Sequence, residues 1–181
     1  MRKFEAAVHR RGEITYVKLS GTVDEDSDLD ALVDEIQPGV AIIDAGGIRR
    51  INSRGVRDWV SWLGKLRARR TDVVLVECSP PIVIQMTMVS TFLGHGVVES
   101  IYLPYLCPKC GADKLLLVET AAMVHPQPPP CRCDACGTAM EFDDLPEAYF
   151  AFLSHRRDAG AVAGRAGVVQ VIREFGRARA S

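Results

Sequence analysis

Two short cysteine motifs constrain this chain more than any other feature of its sequence. The first is Cys107-Pro-Lys-Cys110-Gly, and the second, Cys133-Asp-Ala-Cys136-Gly, follows after 22 intervening residues. Two residues between the cysteines let the backbone turn so that both sulfurs reach one metal ion, and a glycine after the second cysteine relaxes that turn. Two such pairs supply the four thiolates of a tetrahedral shell. The motifs therefore predict one Zn²⁺ bound by Cys107, Cys110, Cys133 and Cys136.

Cys131 is a fifth thiol in the same region, and it is the one that we expect to be spare. The Cys131-Arg-Cys133 spacing makes a poorer metal-binding turn, and it has no glycine in the matching place. Two alternatives stay open, because Cys131 could replace Cys133 as a ligand or act as a redox-sensitive thiol beside the metal. His125 lies in the loop between the motifs, and with four cysteines available we do not expect it to be a ligand. Four thiolates leave no open coordination position, so the predicted metal is structural.

The region around these motifs has too little apolar content to fold alone. Between the motifs lie one strand-like run, KLLLVET, and a proline-rich loop, and the strand-like TAMEF follows the second motif. A small segment of this kind needs a metal or disulfide to hold it together. The motifs and the strands resemble a zinc ribbon. We therefore predict three parts: residues 1–104, a zinc ribbon over 105–145, and a C-terminal helix with a basic tail over 146–181.

Composition and charge narrow the class of protein. The chain has 181 residues, of which 48% are hydrophobic and 25% charged, enough to bury a core. Its net charge of −1 gives no reason to expect bulk attraction to nucleic acid. The longest aliphatic runs are too short to span a membrane, and the N-terminus lacks the apolar stretch of a secretory leader. We expect a cytoplasmic protein, where clustered cysteines bind metal more often than they form disulfides.

Hydrophobic periodicity over the first hundred residues predicts alternating strands and helices. The expected strands cover residues 4–9, 14–21, 40–44, 72–78 and 97–103, and the expected helices cover 28–36, 53–70 and a segment opened by Pro80 and Pro81. Ser27 is the expected cap of the first helix. The first two strands form a hairpin around Gly12. This pattern predicts an α/β fold in which helices pack on a mixed sheet.

The C-terminal part shows two further helical patterns. Pro146 opens the first, and the second is an amphipathic stretch over residues 166–176 whose apolar positions are Val168, Val171, Ile172 and Phe175. Flanking alanine and glycine make that stretch marginal by itself. The sequence slightly favours a frayed terminus over a docked helix.

The order of elements and two short motifs resemble a known family. LSGTVDEDS follows the second predicted strand, and Ile-Asn-Ser-Arg-Gly precedes the long helix. Together with the order hairpin, helix, strand, helix, strand, helix, these motifs resemble a STAS domain of the anti-sigma-factor antagonist type, a bacterial signalling module. The resemblance covers residues 4 to 103. It implies a STAS-like sheet and a function in regulated protein binding.

The chain departs from this family at the position that regulates binding. The family motif reads Asp-Ser-Ser-Gly, and a partner kinase phosphorylates its second serine; here Asn52, Ser53 and Arg54 precede the glycine. Arg54 has no hydroxyl, so that phosphate switch is lost. Ser53 is expected to cap the helix, and its phosphorylation is the lower-ranked alternative. Arg54 also places a positive charge at a helix N-terminus, which the helix dipole disfavours unless an anion lies opposite.

Basic residues cluster around this motif. Arg49, Arg50 and Arg57 accompany Arg54 within a few positions. One interpretation is an ordinary solvated basic face, and the other is a docking surface for an acidic protein partner. Before it in the chain lies an acidic segment, which is either a solvated face or a patch for self-association: Asp24, Glu25, Asp26, Asp28, Asp30, Asp34 and Glu35.

Three classes of function can be ranked from these features. The first is a non-catalytic regulatory or scaffold protein that acts by protein binding. The alternative is a nucleic-acid-binding zinc-ribbon protein in transcription regulation. Against it, residues 107 to 136 carry three basic and three acidic side chains and no aromatic residue, whereas such a ribbon should be basic with stacking side chains. Motifs of phosphate-binding, nucleophilic and dinucleotide-binding enzymes are missing from the sequence, so an enzyme is the least expected class.

Overall fold

The computed structural model describes residues 3–123, 127–155 and 165–176. Its strands are β1 (Glu5–Arg11), β2 (Ile14–Val23), β3 (Gly39–Ile51), β4 (Thr71–Val76), β5 (Val97–Val98), β6 (Ser100–Leu106), β7 (Asp113–Glu119) and β8 (Glu141–Phe142). Its helices are α1 (Ala31–Glu35), α2 (Ser53–Ala68), α3 (Pro80–Met88), α4 (Pro146–Tyr149) and α5 (Arg165–Gly176). Two 3₁₀ turns lie at Thr120–Ala122 and Ala151–His155. The α/β class predicted from the sequence is confirmed.

The strands form two connected sheets. β1 to β5 lie in sequence order, with β1 antiparallel to β2 and the other neighbours parallel. β6 lies between β7 and β8 in an antiparallel sheet. The first part of β6 also continues alongside the end of β4, because Cys78 N–H donates to Ser100 O at 3.0 Å and Tyr102 N–H donates to Cys78 O at 2.9 Å. β6 therefore carries the parallel sheet into the cysteine region, and the predicted boundary between residues 104 and 105 falls inside this strand.

Helices α1, α2 and α3 pack on one face of the five-stranded sheet, called here the helix face. Successive strand residues point to opposite faces, and the odd-numbered positions of β2, β3 and β4 supply Val17, Ile43 and Leu75 to this side. Trp59 and Trp62 of α2 lie fully buried against them. This is the main core of the molecule, and burial of its apolar surface is the dominant stabilising contribution.

The opposite face of the sheet is covered in part by α5. Val168 and Val171 are buried against Tyr16, Ile42 and Val74. Phe175 stacks on the rings of Tyr16 and His9, with centroids 4.9 and 5.1 Å apart. The periodicity of residues 166–176 is thus that of a docked helix, and the expectation of a frayed terminus is wrong for this stretch. The rest of the basic tail, residues 156–164 and 177–181, lies outside the described residues.

Two local predictions need correction. Residues 97–103 do not form one strand, because β5 pairs with β4 while β6 begins a second set of pairings. α1 is shorter than predicted, and its N-cap is Asp30 rather than Ser27. Ser27 instead uses its hydroxyl within the preceding turn, where it donates to Thr22 O at 3.1 Å and accepts from Asp24 N–H at 2.9 Å. That local hydrogen bonding competes with a capping position.

Candidate metal centre and arginine surface

Strand pairing brings the two cysteine motifs together. β6 ends at Leu106, so the chain enters the first motif directly from this strand. β8 follows the second motif and pairs antiparallel with β6, with Tyr105 opposite Phe142 and Leu106 opposite Glu141. Both motifs therefore lie at the same end of the same strand pair.

The backbone of both motifs folds in the same way. Gly111 N–H donates to Cys107 O, and Gly137 N–H donates to Cys133 O, each at 2.9 Å. The two glycines have φ angles of +69° and +70°, a region that side chains with a Cβ rarely adopt. A Cβ at either glycine would meet no atom within 4 Å, so the backbone conformation and not crowding requires glycine here.

These turns place four sulfur atoms in one cluster. The Sγ atoms of Cys107, Cys110, Cys133 and Cys136 all lie within 4.8 Å of one another. The shortest separations join the two motifs, at 3.5 Å between Cys107 and Cys136 and 3.6 Å between Cys110 and Cys133. Cys107 and Cys133 are buried, whereas Cys110 is exposed. Four sulfurs at these separations can bind one metal ion.

Two thiols of the cluster have pKa values that are shifted in opposite directions. The hydroxyl and backbone N–H of Thr138 hydrogen-bond the sulfur of Cys136 and lower the pKa of that thiol to about 6. At Cys110 the backbone of Ala112 acts in the same direction, but contacts with the sulfurs of the other three cysteines outweigh it and raise the pKa to about 12. Metal ligands must be thiolates, so a bound cation displaces the proton of Cys110. Metal affinity is therefore expected to rise with pH.

Cys131 stands apart from this cluster. It is buried, but its Sγ does not belong to the group of four, and it donates a long hydrogen bond to the Arg132 carbonyl oxygen at 3.9 Å. His125 lies outside the described residues. Lys114 of β7 ties the second motif to the sheet, because its Nζ donates to Asp134 at 2.7 Å and to Arg132 O at 3.2 Å.

The predicted binding residues around α2 define the arginine surface: Arg49, Arg50, Asn52, Ser53, Arg54 and Arg57. Arg49 and Arg50 lie in β3, which continues through them to Ile51, beyond the strand predicted over residues 40–44. Asn52, and not Ser53, caps α2: its Oδ1 accepts from Gly55 N–H at 2.8 Å. The prediction for Ser53 is therefore wrong, and Ser53 is the exposed first residue of the helix.

Arg54 forms an ion pair within its own helix. Its Nε lies 3.1 Å from a carboxylate oxygen of Asp58, four residues further on. Glu25 is also nearby: it accepts from Asn52 Nδ2 at 2.8 Å, and this hydrogen bond, with a smaller contribution from Arg54, lowers the pKa of Glu25. These carboxylates offset the unfavourable placement of Arg54 near the helix N-terminus.

Part of the predicted acidic segment is paired in the same way. Asp30 binds Lys65 Nζ at 2.6 Å, and Asp34 binds Arg69 at 2.9 Å. Lys65 belongs to α2, and Arg69 is the C-cap of this helix. Sequence reasoning missed these contacts, and the Asn52 to Glu25 hydrogen bond, because their residues are more than 25 positions apart and meet only in the folded chain.

Comparison of the chain with protein-family models and with curated proteins gives no match. In the part of the chain that the structure describes, every helix is too short or too polar to cross a membrane.

Proposed function

We propose that this chain is a non-catalytic regulatory or scaffold protein that binds an acidic protein partner in the cytoplasm. In this proposal a STAS-like domain provides the binding surface. The cysteine cluster holds Zn²⁺ in a zinc ribbon that maintains the shape of the region beyond β6.

The donor set supports zinc at the cluster. Four thiolates from two turns favour a tetrahedral, borderline-soft cation, and sites of this composition are structural in other proteins. With all four positions filled by sulfur, the ion would have no vacant position for water or substrate. The proposal is therefore for a metal that stabilises structure.

The order of elements supports the STAS comparison. A hairpin is followed by α1, β3, α2, β4, α3 and β5, which is the order from which the resemblance was inferred. At the family's phosphorylated position Arg54 lacks a hydroxyl and is paired with Asp58. Binding in this protein is then constitutive or controlled at another site.

The binding proposal rests on three arginines of the arginine surface that have no ion-pair partner among the described residues. Arg49, Arg50 and Arg57 are exposed, and none of them forms an ion pair within residues 3–123, 127–155 or 165–176. By contrast, Arg54, Lys65 and Arg69 have carboxylate partners on or against the same helix. Cations left without internal partners steer an oppositely charged surface toward the protein.

The arginine surface can be tested by reversing one charge. Arg50→Glu and the matched control Arg67→Glu change the net charge equally, and both residues are exposed. A partner would be captured from nuclease-treated extract of the source cells, and its association kinetics measured with each variant. We expect Arg50→Glu to slow association by about tenfold at low salt, with a smaller effect at high salt, while Arg67→Glu has little effect.

Equal rates for the two variants would remove the arginine surface from the interface. Loss of all captured protein after nuclease treatment would instead favour the nucleic-acid alternative. Lys114, one of three basic residues from Cys107 to Cys136, is already paired with Asp134, which weakens that alternative.

A further inference from the structure

A cavity of about 710 Å³ lies where β2 and β3 pass the start of α3. Ser20 and Gly21 of β2, Gly46 and Gly47 of β3, and Ser79 before α3 contribute to its lining. Its volume is in the range of small-molecule sites, and the carboxyl-terminal half of a parallel sheet is a common place for them. The chemistry of the lining residues decides what such a cavity can bind.

Ser79 has a hydroxyl that forms no hydrogen bond within the described parts of the chain. The residue is the N-cap of α3, where a serine hydroxyl normally accepts from the N–H of the second or third helical residue. The second helical residue is Pro81, which has no N–H, and the N–H of Ile82 is bonded to the Ser79 carbonyl oxygen at 2.9 Å. Ser79 is only 3% exposed, and its Oγ has no hydrogen-bond partner among the described residues. A buried hydroxyl left in this state is costly unless a ligand or water satisfies it.

Two cations line the same cavity. Lys3 and Arg49 are both exposed, and neither forms an ion pair within the described parts of the chain. Glu5 also lines the cavity, so one negative charge stands against two positive ones. The N-terminal end of α3 adds a partial positive charge through its dipole, although its first two residues are prolines and donate no N–H.

The remaining lining is apolar. Leu115 of β7 is 52% exposed, and it borders the cavity together with Pro80 and Pro81. An apolar group lying between these side chains would remove their surface from water. The cavity thus combines two cations, a serine whose buried hydroxyl has no hydrogen-bond partner among the described residues, and apolar side chains at its border.

From this combination we infer that the cavity is a binding site for a small organic phosphate monoester. The phosphate would lie among Lys3, Arg49 and the Ser79 hydroxyl, and a compact apolar substituent would lie against Leu115 and the two prolines. A dianionic phosphate matches two cations and accepts several hydrogen bonds. The site is independent of the metal cluster and shares only Arg49 with the arginine surface.

Phenyl phosphate and inorganic phosphate are suitable probes. Binding to the full metal-loaded chain would be measured by titration calorimetry and by NMR shifts of the Gly46 and Gly47 amides. We expect phenyl phosphate to bind several-fold more tightly than inorganic phosphate, because the ring adds apolar contacts. Lys3→Ala should weaken its binding by about tenfold and Ser79→Ala by about fivefold.

Ser79→Ala separates binding from folding. Since the mutation removes a hydroxyl without a partner, the melting temperature of the unliganded protein should stay the same or rise. Arg67→Ala is the control, because Arg67 is exposed and neither lines the cavity nor belongs to the arginine surface, and the affinity of this variant for phenyl phosphate should be unchanged.

Absence of saturable phenyl phosphate binding at millimolar concentration would overturn the inference, as would equal affinities of the wild-type, Lys3→Ala and Ser79→Ala proteins. Equal affinity for phenyl phosphate and inorganic phosphate would overturn the proposed contact of an apolar substituent with Leu115 and the two prolines. Because Lys3 and Ser79 lie outside the arginine surface, failure of this test leaves the proposed partner binding untouched.

Discussion

The parallel sheet with its helices and the cysteine segment, residues 107 to 142, are stabilised in different ways. α2 alone buries Trp59, Trp62, Leu63 and Leu66. In the described positions of the cysteine segment, the buried residues are three of its cysteines together with Thr120 and Met140. The first region is held by apolar packing, whereas the second has little beyond its sulfurs to bury. The comparison teaches that the cysteine segment lacks a core of its own, and in the proposed function metal coordination takes the place of that core.

The largest expected effect comes from removing one sulfur of the cluster. Cys110→Ser should abolish stable zinc binding, because three thiolates and a hydroxyl make a poor site, while the far-ultraviolet spectrum of the sheet and helices should change little. Cys131→Ser is the control, since its sulfur lies outside the cluster, and it should retain one zinc per chain. Metal analysis of both purified variants measures this difference. Equal zinc contents in the two proteins would show that the ligands are wrongly assigned.

A smaller effect is expected from the two tryptophans of α2, and it should leave the metal in place. Trp59 Nε1 donates to Phe92 O at 3.2 Å, whereas the Nε1 of Trp62 has no partner among the described residues. Trp59→Phe removes a hydrogen bond, but Trp62→Phe removes an unsatisfied polar atom. We expect Trp59→Phe to lower the free energy of unfolding by about 1–3 kcal/mol more than Trp62→Phe does. Denaturant unfolding measures the difference, and a larger loss for Trp62→Phe would contradict this account of the core.

The smallest expected effect is at the cap of α2. Asn52→Ala removes the acceptor for Gly55 N–H and the donor to Glu25, and it should lower the free energy of unfolding by about 1 kcal/mol. Ser53→Ala should change it by less than about 0.5 kcal/mol, because Ser53 is exposed and does not cap the helix. Thermal unfolding of both variants tests the assignment. A larger loss of stability in Ser53→Ala than in Asn52→Ala would indicate that Ser53 is the cap.

The α/β alternation and the clustering of the cysteines could be predicted from the sequence, because both depend on local spacing. The full length of β3 could not. Gly46 and Gly47 in DAGGI look like a turn, but β3 runs through them beside β2. A Cβ at Gly47 would lie 2.6 Å from Leu19 O, so glycine is needed there for the close approach of two strands. That requirement is visible only once the neighbouring strand is in place.

The docking of α5 on the sheet could not be predicted from the sequence either. Its apolar stripe at Val168, Val171 and Phe175 predicted the helix, but a stripe does not say whether a surface is available to receive it. The surface is formed by Tyr16, Val40, Ile42, Val74 and Val76, from three strands far apart in the sequence. The cavity next to Ser79 was missed for a related reason. A serine before two prolines predicts the start of a helix. That its hydroxyl has no partner among the described residues is visible only once the hydrogen bonds of the folded chain are known.

The different stabilisation of the two regions can be measured most directly by hydrogen exchange with and without a zinc chelator. Amide exchange, followed by mass spectrometry on the native chain, would be compared between the sheet with α2 and residues 107 to 142. The account predicts that chelation removes protection throughout the cysteine segment and leaves β2, β3, β4 and α2 protected as before. Unchanged protection of the cysteine segment, or equal loss across the whole chain, would contradict it.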